Sequence, residues 1–105
     1  MLSSAMRLIA RSNLVAFGDR HPKTKASLAH WVSVAKASVW RNAGEVGESF
    51  SKAKVLNGER VRFEVAGGDY RMIVAFDFRR CIAFIKFIGT HAEYDRIDAL
   101  TVSKY

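Results

Sequence analysis

The chain has 105 residues, half of them hydrophobic and 26% charged, with a formal net charge of +7. That length fits a single domain spanning residues 1–105 with a modest core of its own, the composition excludes an intrinsically disordered chain, and no apolar run approaches the ~20 residues of a membrane span. Cys81 is the only cysteine, so no internal disulfide forms and nothing calls for an oxidising compartment.

The basic excess is uneven. Residues 1–44 hold seven Lys and Arg against Asp19 alone, whereas residues 45–105 hold ten basic and nine acidic groups. A cationic half joined to a nearly neutral one favours a polyanionic partner, nucleic acid first and an acidic protein or anionic membrane after it. The plain alternative is a soluble, charged surface.

The opening MLSSAMRLIARSN is too polar and short for a secretory signal, and the first five residues read as a loose extension. Met6–Ala10 is a short strand. Ser12 or Asn13 can cap a helix running to about Arg20, which His21-Pro22 breaks. Pro22 then suits the first turn of a second helix, in which Leu28, Trp31, Val32, Ala35 and Val39 form one apolar stripe. Lys23, Lys25 and Lys36 fall away from that stripe, so the pair reads as a helical hairpin with a basic exterior. His21 and His30 read as structural or solvated residues. Asn42–Gly58 holds three glycines and reads as a loop-rich connection, with one helical turn near Val46–Phe50 and a turn at Asn57-Gly58.

Three further strands are predicted. In Arg60–Ala66, Val61, Phe63 and Val65 alternate with Arg60, Arg62 and Glu64, the pattern of a half-buried strand. Gly67-Gly68 makes a tight hairpin. In Tyr70–Phe78, Tyr70, Met72, Val74 and Phe76 share one face, and Arg71, Ile73, Ala75 and Asp77 the other. Cys81–Ile88 is almost wholly apolar, as in a strand covered on both faces, with Cys81 a small core residue. The helical hairpin must cover one face of this sheet. The other carries Arg62 and Arg71, joined by Lys86 if it shares their side. Either Arg62 merely pairs with Glu64 or Asp77, or these cations form a shallow cleft for a phosphate backbone.

Polar and titratable groups crowd the end of the last strand, in FIKFIGTHAEYDRID (Phe84–Asp98). Thr90-His91-Ala92-Glu93 fits a capping box. A capped helix start accounts for part of the crowd, and it also presents free N–H groups suited to phosphate.

GTHAEYD (Gly89–Asp95) after an aromatic-rich strand resembles the C-terminal signature of HigB-type toxins in the RelE superfamily of bacterial mRNA interferases. Val61–Phe63 leading to AGGDYRMIVAFDF (Ala66–Phe78), the start at Met6–Ala10 with His21-Pro22, and Trp31 and Trp40 extend the likeness over most of residues 6–100. The resemblance implies an α+β fold: an N-terminal strand and a basic helical hairpin packed on an antiparallel sheet that ends in a short helix. It also implies a cytoplasmic, ribosome-dependent endoribonuclease that needs no metal or cofactor, and a cognate helix-turn-helix antitoxin through which DNA is touched only indirectly.

Metal-free RNA cleavage needs a base for the ribose 2′-OH, stabilisation of the phosphate and an acid for the leaving 5′-oxygen. His91 supplies imidazole, which titrates near ~6.5. Arg71 offers a fixed fork of donors, and Tyr94 can stack on a base or bond the phosphate. The resemblance implies the same three as catalytic residues, with Arg62, Lys86 and Arg60 as RNA contacts and Glu93 and Asp95 capping or orienting. The chain holds no CxxC, HExxH, GxxxxGK[ST] or GxSxG, and histidines at 21, 30 and 91 make no zinc site. A non-catalytic RNA- or ribosome-binding module is the alternative from another class. Direct DNA binding is weaker still, since no recognition helix is apparent.

Overall fold

The computed structural model describes residues 5–105, so the first four residues of the expected extension lie outside the described residues. In chain order the elements are β1 (Arg7–Ile9), α1 (Arg11–Arg20), a 3-10 turn (Pro22–Thr24), α2 (Lys25–Ala37), α3 (Ala43–Ser49), β2 (Ala53–Val55), β3 (Arg60–Val65), β4 (Tyr70–Asp77), β5 (Ile82–Thr90) and α4 (His91–Tyr94). The strands form one sheet in the order β1-β5-β4-β3-β2. The fold is α+β, as expected, but the sheet is mixed. β1 runs parallel to β5, because the chain between them forms the long crossover that a parallel pair requires.

Helices α1, α2 and α3 lie on one face. Leu14 and Phe17 of α1 and Leu28, Trp31 and Ala35 of α2 pack into one core with Val61, Phe63, Val65, Met72, Val74, Phe76, Ala83, Ile85 and Ile88 of the sheet. Each of the larger side chains contributes roughly 1.5–3 kcal/mol by leaving water, so the apolar stripe holds the hairpin down. Aromatic rings lock the far end: Trp31 meets Phe63 edge-on at 5.4 Å, Phe50 meets Phe63 at 5.2 Å and Trp40 meets Phe76 at 5.7 Å.

Several local expectations need correction. Neither Ser12 nor Asn13 caps α1. The N-cap is Ala10, held at φ 70° where the chain turns out of β1. α2 stops at Ala37 because Ser38 is extended, so Val39 leaves the stripe and is 45% exposed while Trp40 takes the buried place. The segment read as loop-rich holds α3 and β2. Gly44 and Gly47 weaken helix propensity, but burial of Ala43 and Val46 and a cap outweigh it, the Asn42 side chain accepting the Glu45 N–H at 2.9 Å. Cys81 is half-buried in the turn before β5 at φ 57° rather than within the strand.

Candidate active site

The sheet face turned away from the helices is built in rows set by strand register. Glu64, Arg71 and Gly89 form one row, Lys54, Arg62, Ile73 and Phe87 the next, and Arg60, Ala75 and Phe84 a third. Side chains alternate across a strand, so Arg60, Arg62 and Arg71 share this face as the sequence predicts. Lys54 joins them from β2, directly opposite Arg62. It escaped sequence reading because a three-residue edge strand carries almost no periodic signal.

Lys86 shares this face with Phe84, two residues before it, and an irregularity then brings Phe87 to the same side. The β4–β5 register shifts between Ile73 and Val74, whose partners are Phe87 and Ile85. Lys86 is the extra residue of a bulge, which re-aims a side chain. Its Nζ lies 5.4 Å from the Phe84 ring centroid and 3.4 Å from Ser103 Oγ.

The cations are not equally free. Arg60 Nη1 donates to the carbonyls of Ala99 and Val102 at 3.1 and 2.9 Å, so that guanidinium clasps the chain beyond α4. The Lys104 N–H donates to the Lys86 carbonyl at 2.8 Å. Residues after α4 thus strap part of the face, Lys104 Nζ lying 6.0 Å from the Phe87 ring centroid, and Ile73 and Phe87 on this face are buried. Arg62 Nη2 sits 3.5 Å from Glu64 Oε2, the pairing weighed from sequence. Arg71 Nη1 donates to the Gly68 carbonyl. The Nε of Arg62 and of Arg71 are both buried without a hydrogen-bond partner, a costly state for a charged donor.

α4 sits at the Arg71 end of this face. Arg71 pairs with Gly89 across the β4–β5 ladder, and the His91 N–H donates to the Asp69 carbonyl at 2.9 Å. Gly89 is required there, since an added Cβ would lie 2.7 Å from Phe87 Cζ and 2.9 Å from Glu93 Oε1. The capping box is complete. Thr90 Oγ1 accepts the Glu93 N–H at 3.1 Å, and Glu93 Oε1 accepts the Thr90 N–H at 2.8 Å. That backbone hydrogen bond is the main cause holding the Glu93 carboxyl below its ordinary range, with smaller help from the Thr90 side chain, Lys104 and His21 against partial burial.

Glu93 therefore caps, while Asp95 is left to orient. Asp95 Oδ2 lies 3.1 Å from His91 Nδ1, and an Nδ1–H held there leaves Nε2 as the acceptor. His91 is exposed and three residues before Tyr94, so both lie on one side of the helical turn. The Tyr94 ring is 6.4 Å from that of Phe87, on the Arg71 face. Backbone geometry therefore gathers Arg71, His91 and Tyr94 at one end, although no direct bond joins the three. Arg62 lies beside Arg71, whereas Arg60 and Lys86 line a separate groove of about 610 Å³ with Arg79 and Leu100. Among the described residues no three His, Cys, Asp or Glu side chains are grouped to hold a metal ion.

The family model for HigB toxins, described as the RelE-like toxic component of a toxin–antitoxin system, matches residues 24–97. The chain belongs to this family. The HigB match runs from the start of α2 through α4, so it contains every element of the cationic face and the whole GTHAEYD segment. Membership implies a cognate antitoxin as partner. Among curated proteins, none matched this HigB-family chain. Among the described residues no helix is long and apolar enough to cross a membrane.

Proposed function

We propose that this HigB-family toxin is a cytoplasmic, ribosome-dependent endoribonuclease that cleaves translated mRNA without a metal. The observation that supports this reading is the placing of Arg62 and Arg71 on one sheet face, with Gly89 opposite Arg71 leading directly into the His91–Asp95 pair. A cationic face that ends at an oriented imidazole suits an RNA phosphate.

In this mechanism His91 Nε2 takes the proton from the ribose 2′-OH, with Asp95 fixing the ring. The 2′-oxygen attacks phosphorus and the P–O5′ bond breaks. Arg71 stabilises the charge gathering on the phosphate oxygens. The 5′-oxygen gains a proton from Tyr94 or water, leaving a 2′,3′-cyclic phosphate and a 5′-hydroxyl end. Arg62 and Lys54 hold flanking phosphates, and Lys86 continues the track. The basic helices would meet ribosomal RNA, so binding should weaken steeply as salt rises. The antitoxin would be a helix-turn-helix protein that alone contacts operator DNA.

The Arg62–Glu64 pairing and the Arg60 clasp favour a second reading, a degenerate toxin that binds RNA or ribosomes without cutting. Inducing the wild type, His91→Ala and Arg71→Ala in translating cells and mapping RNA 5′ ends decides between them. In-frame cuts lost in both folded variants support the nuclease. Intact RNA and normal growth from folded wild type leave only the binding module.

A further inference from the structure

On the helical layer, away from the cationic sheet face, α1 and α2 border a groove of about 520 Å³. The helices run antiparallel. Arg11 at the start of α1 and Lys36 at the end of α2 flank one end of the groove, and Asp19 and Lys25, an ion pair at 3.2 Å, flank the other. Between them the floor is apolar, made by Leu14, Val15, Leu28, Ala29 and Val32. Val15 is 60% exposed, and Ala29 is exposed as well. A core does not need these two side chains at the surface, and an isolated helical hairpin would place polar groups there.

Three occupants can be compared. An RNA backbone gains from Arg11 and Lys36 but gets nothing from an apolar floor. A second copy of this chain, itself at +7, brings the same basic rim and is repelled. An amphipathic helix with apolar residues at i, i+3, i+4 and i+7 and acidic residues toward its Arg11–Lys36 end satisfies floor and rim together. α2 spans 13 residues, about 20 Å of helix at the usual rise, which sets the length of segment the groove can seat. We propose that the α1–α2 groove docks an acidic amphipathic helix of the cognate antitoxin. This rests on the family reading for the partner's existence, and not on nuclease activity. The docked helix covers the basic half of the chain and leaves the Arg71–His91 end unoccupied.

The test is calorimetric titration of the full chain with its full-length antitoxin, for wild type, Val15→Glu and Ala29→Glu. Both positions are exposed, and circular dichroism with thermal melting checks folding. The expected result is at least tenfold weaker binding in both variants. Hydrogen exchange of the wild-type complex should show new protection in α1 and α2. Unchanged affinity, or no protection there, overturns the proposal. So does weakened RNA binding with intact antitoxin binding, which would assign the groove to nucleic acid. A wild type that neither arrests growth nor cuts RNA would sink the nuclease reading, while the titration would still decide the groove.

Discussion

Glu64 and Arg71 stand directly opposite each other on β3 and β4, with Gly68 closing the hairpin against them. A Cβ at Gly68 would lie 2.8 Å from Glu64 Oε1 and 3.2 Å from Arg71 Nη1, and its φ is +98°. The hairpin glycine thus does more than turn the chain, since its bare Cα gives the guanidinium room to reach the Gly68 carbonyl. Gly68→Ala should therefore cost about 1 kcal/mol or more for the backbone and also displace Arg71. The expected outcome is a cleavage loss larger than the fall in melting temperature explains, read by comparing both at a temperature where the variant is folded.

Arg71→Ala should lower cleavage by about 10²–10³-fold, the range for removing one preorganised donor from a developing oxyanion. Arg71→Lys should recover only part, because an ammonium lacks the planar fork. Single-turnover rates on a ribosome-bound mRNA would measure this. Equal activity in all three proteins would remove Arg71 from the chemistry.

His91→Ala should cost about 10²–10⁴-fold, as for loss of a general base, with little effect on stability because the ring is exposed. Asp95→Asn should cost less, since the ring remains but its tautomer is no longer fixed. The ordering of the two losses is the measurement that matters, and a greater loss in Asp95→Asn would contradict the orienting role.

Thr90→Ala should destabilise the fold by about 0.5–2 kcal/mol, as for other N-cap losses, and Glu93→Gln by less, since an amide oxygen can still accept the Thr90 N–H. The Glu93 carboxyl sits below its ordinary value of 4.5, chiefly through the Thr90 N–H. The unfolded chain therefore binds the proton more readily than the folded one. This contribution is complete above the unfolded pKa and fades as pH falls through the folded pKa. Urea melts at pH 7 and pH 3.5 should show wild type losing more stability than Glu93→Gln over that interval.

Arg60→Ala should act mainly on structure. Its guanidinium holds the Ala99 and Val102 carbonyls, so loss of charge-assisted bonds should cost about 1.5–3 kcal/mol. Amide exchange should quicken across residues 99–105. Cleavage should fall less than in Arg71→Ala, and an equal fall would restore Arg60 to the RNA track.

The apolar stripe of α2, the alternation in β3 and β4, the glycine hairpin and the Thr90–Glu93 capping box were legible in the sequence, because each depends on residues within a turn or two of one another. So was the sharing of one face by Arg60, Arg62 and Arg71, since strand alternation is local. Tertiary structure alone decided the rest. Parallel pairing of β1 with β5, the edge strand that brings Lys54 beside Arg62, and the bulge at Lys86 that brings Phe87 to the same face all depend on partners far along the chain. The division of labour among the cations was equally hidden. Arg60 and Arg62 alternate identically along β3, yet one is consumed by carbonyls some forty residues away and the other keeps a buried N–H unpartnered. Periodicity specifies which way a side chain points, whereas what it meets there is set by how the whole chain packs.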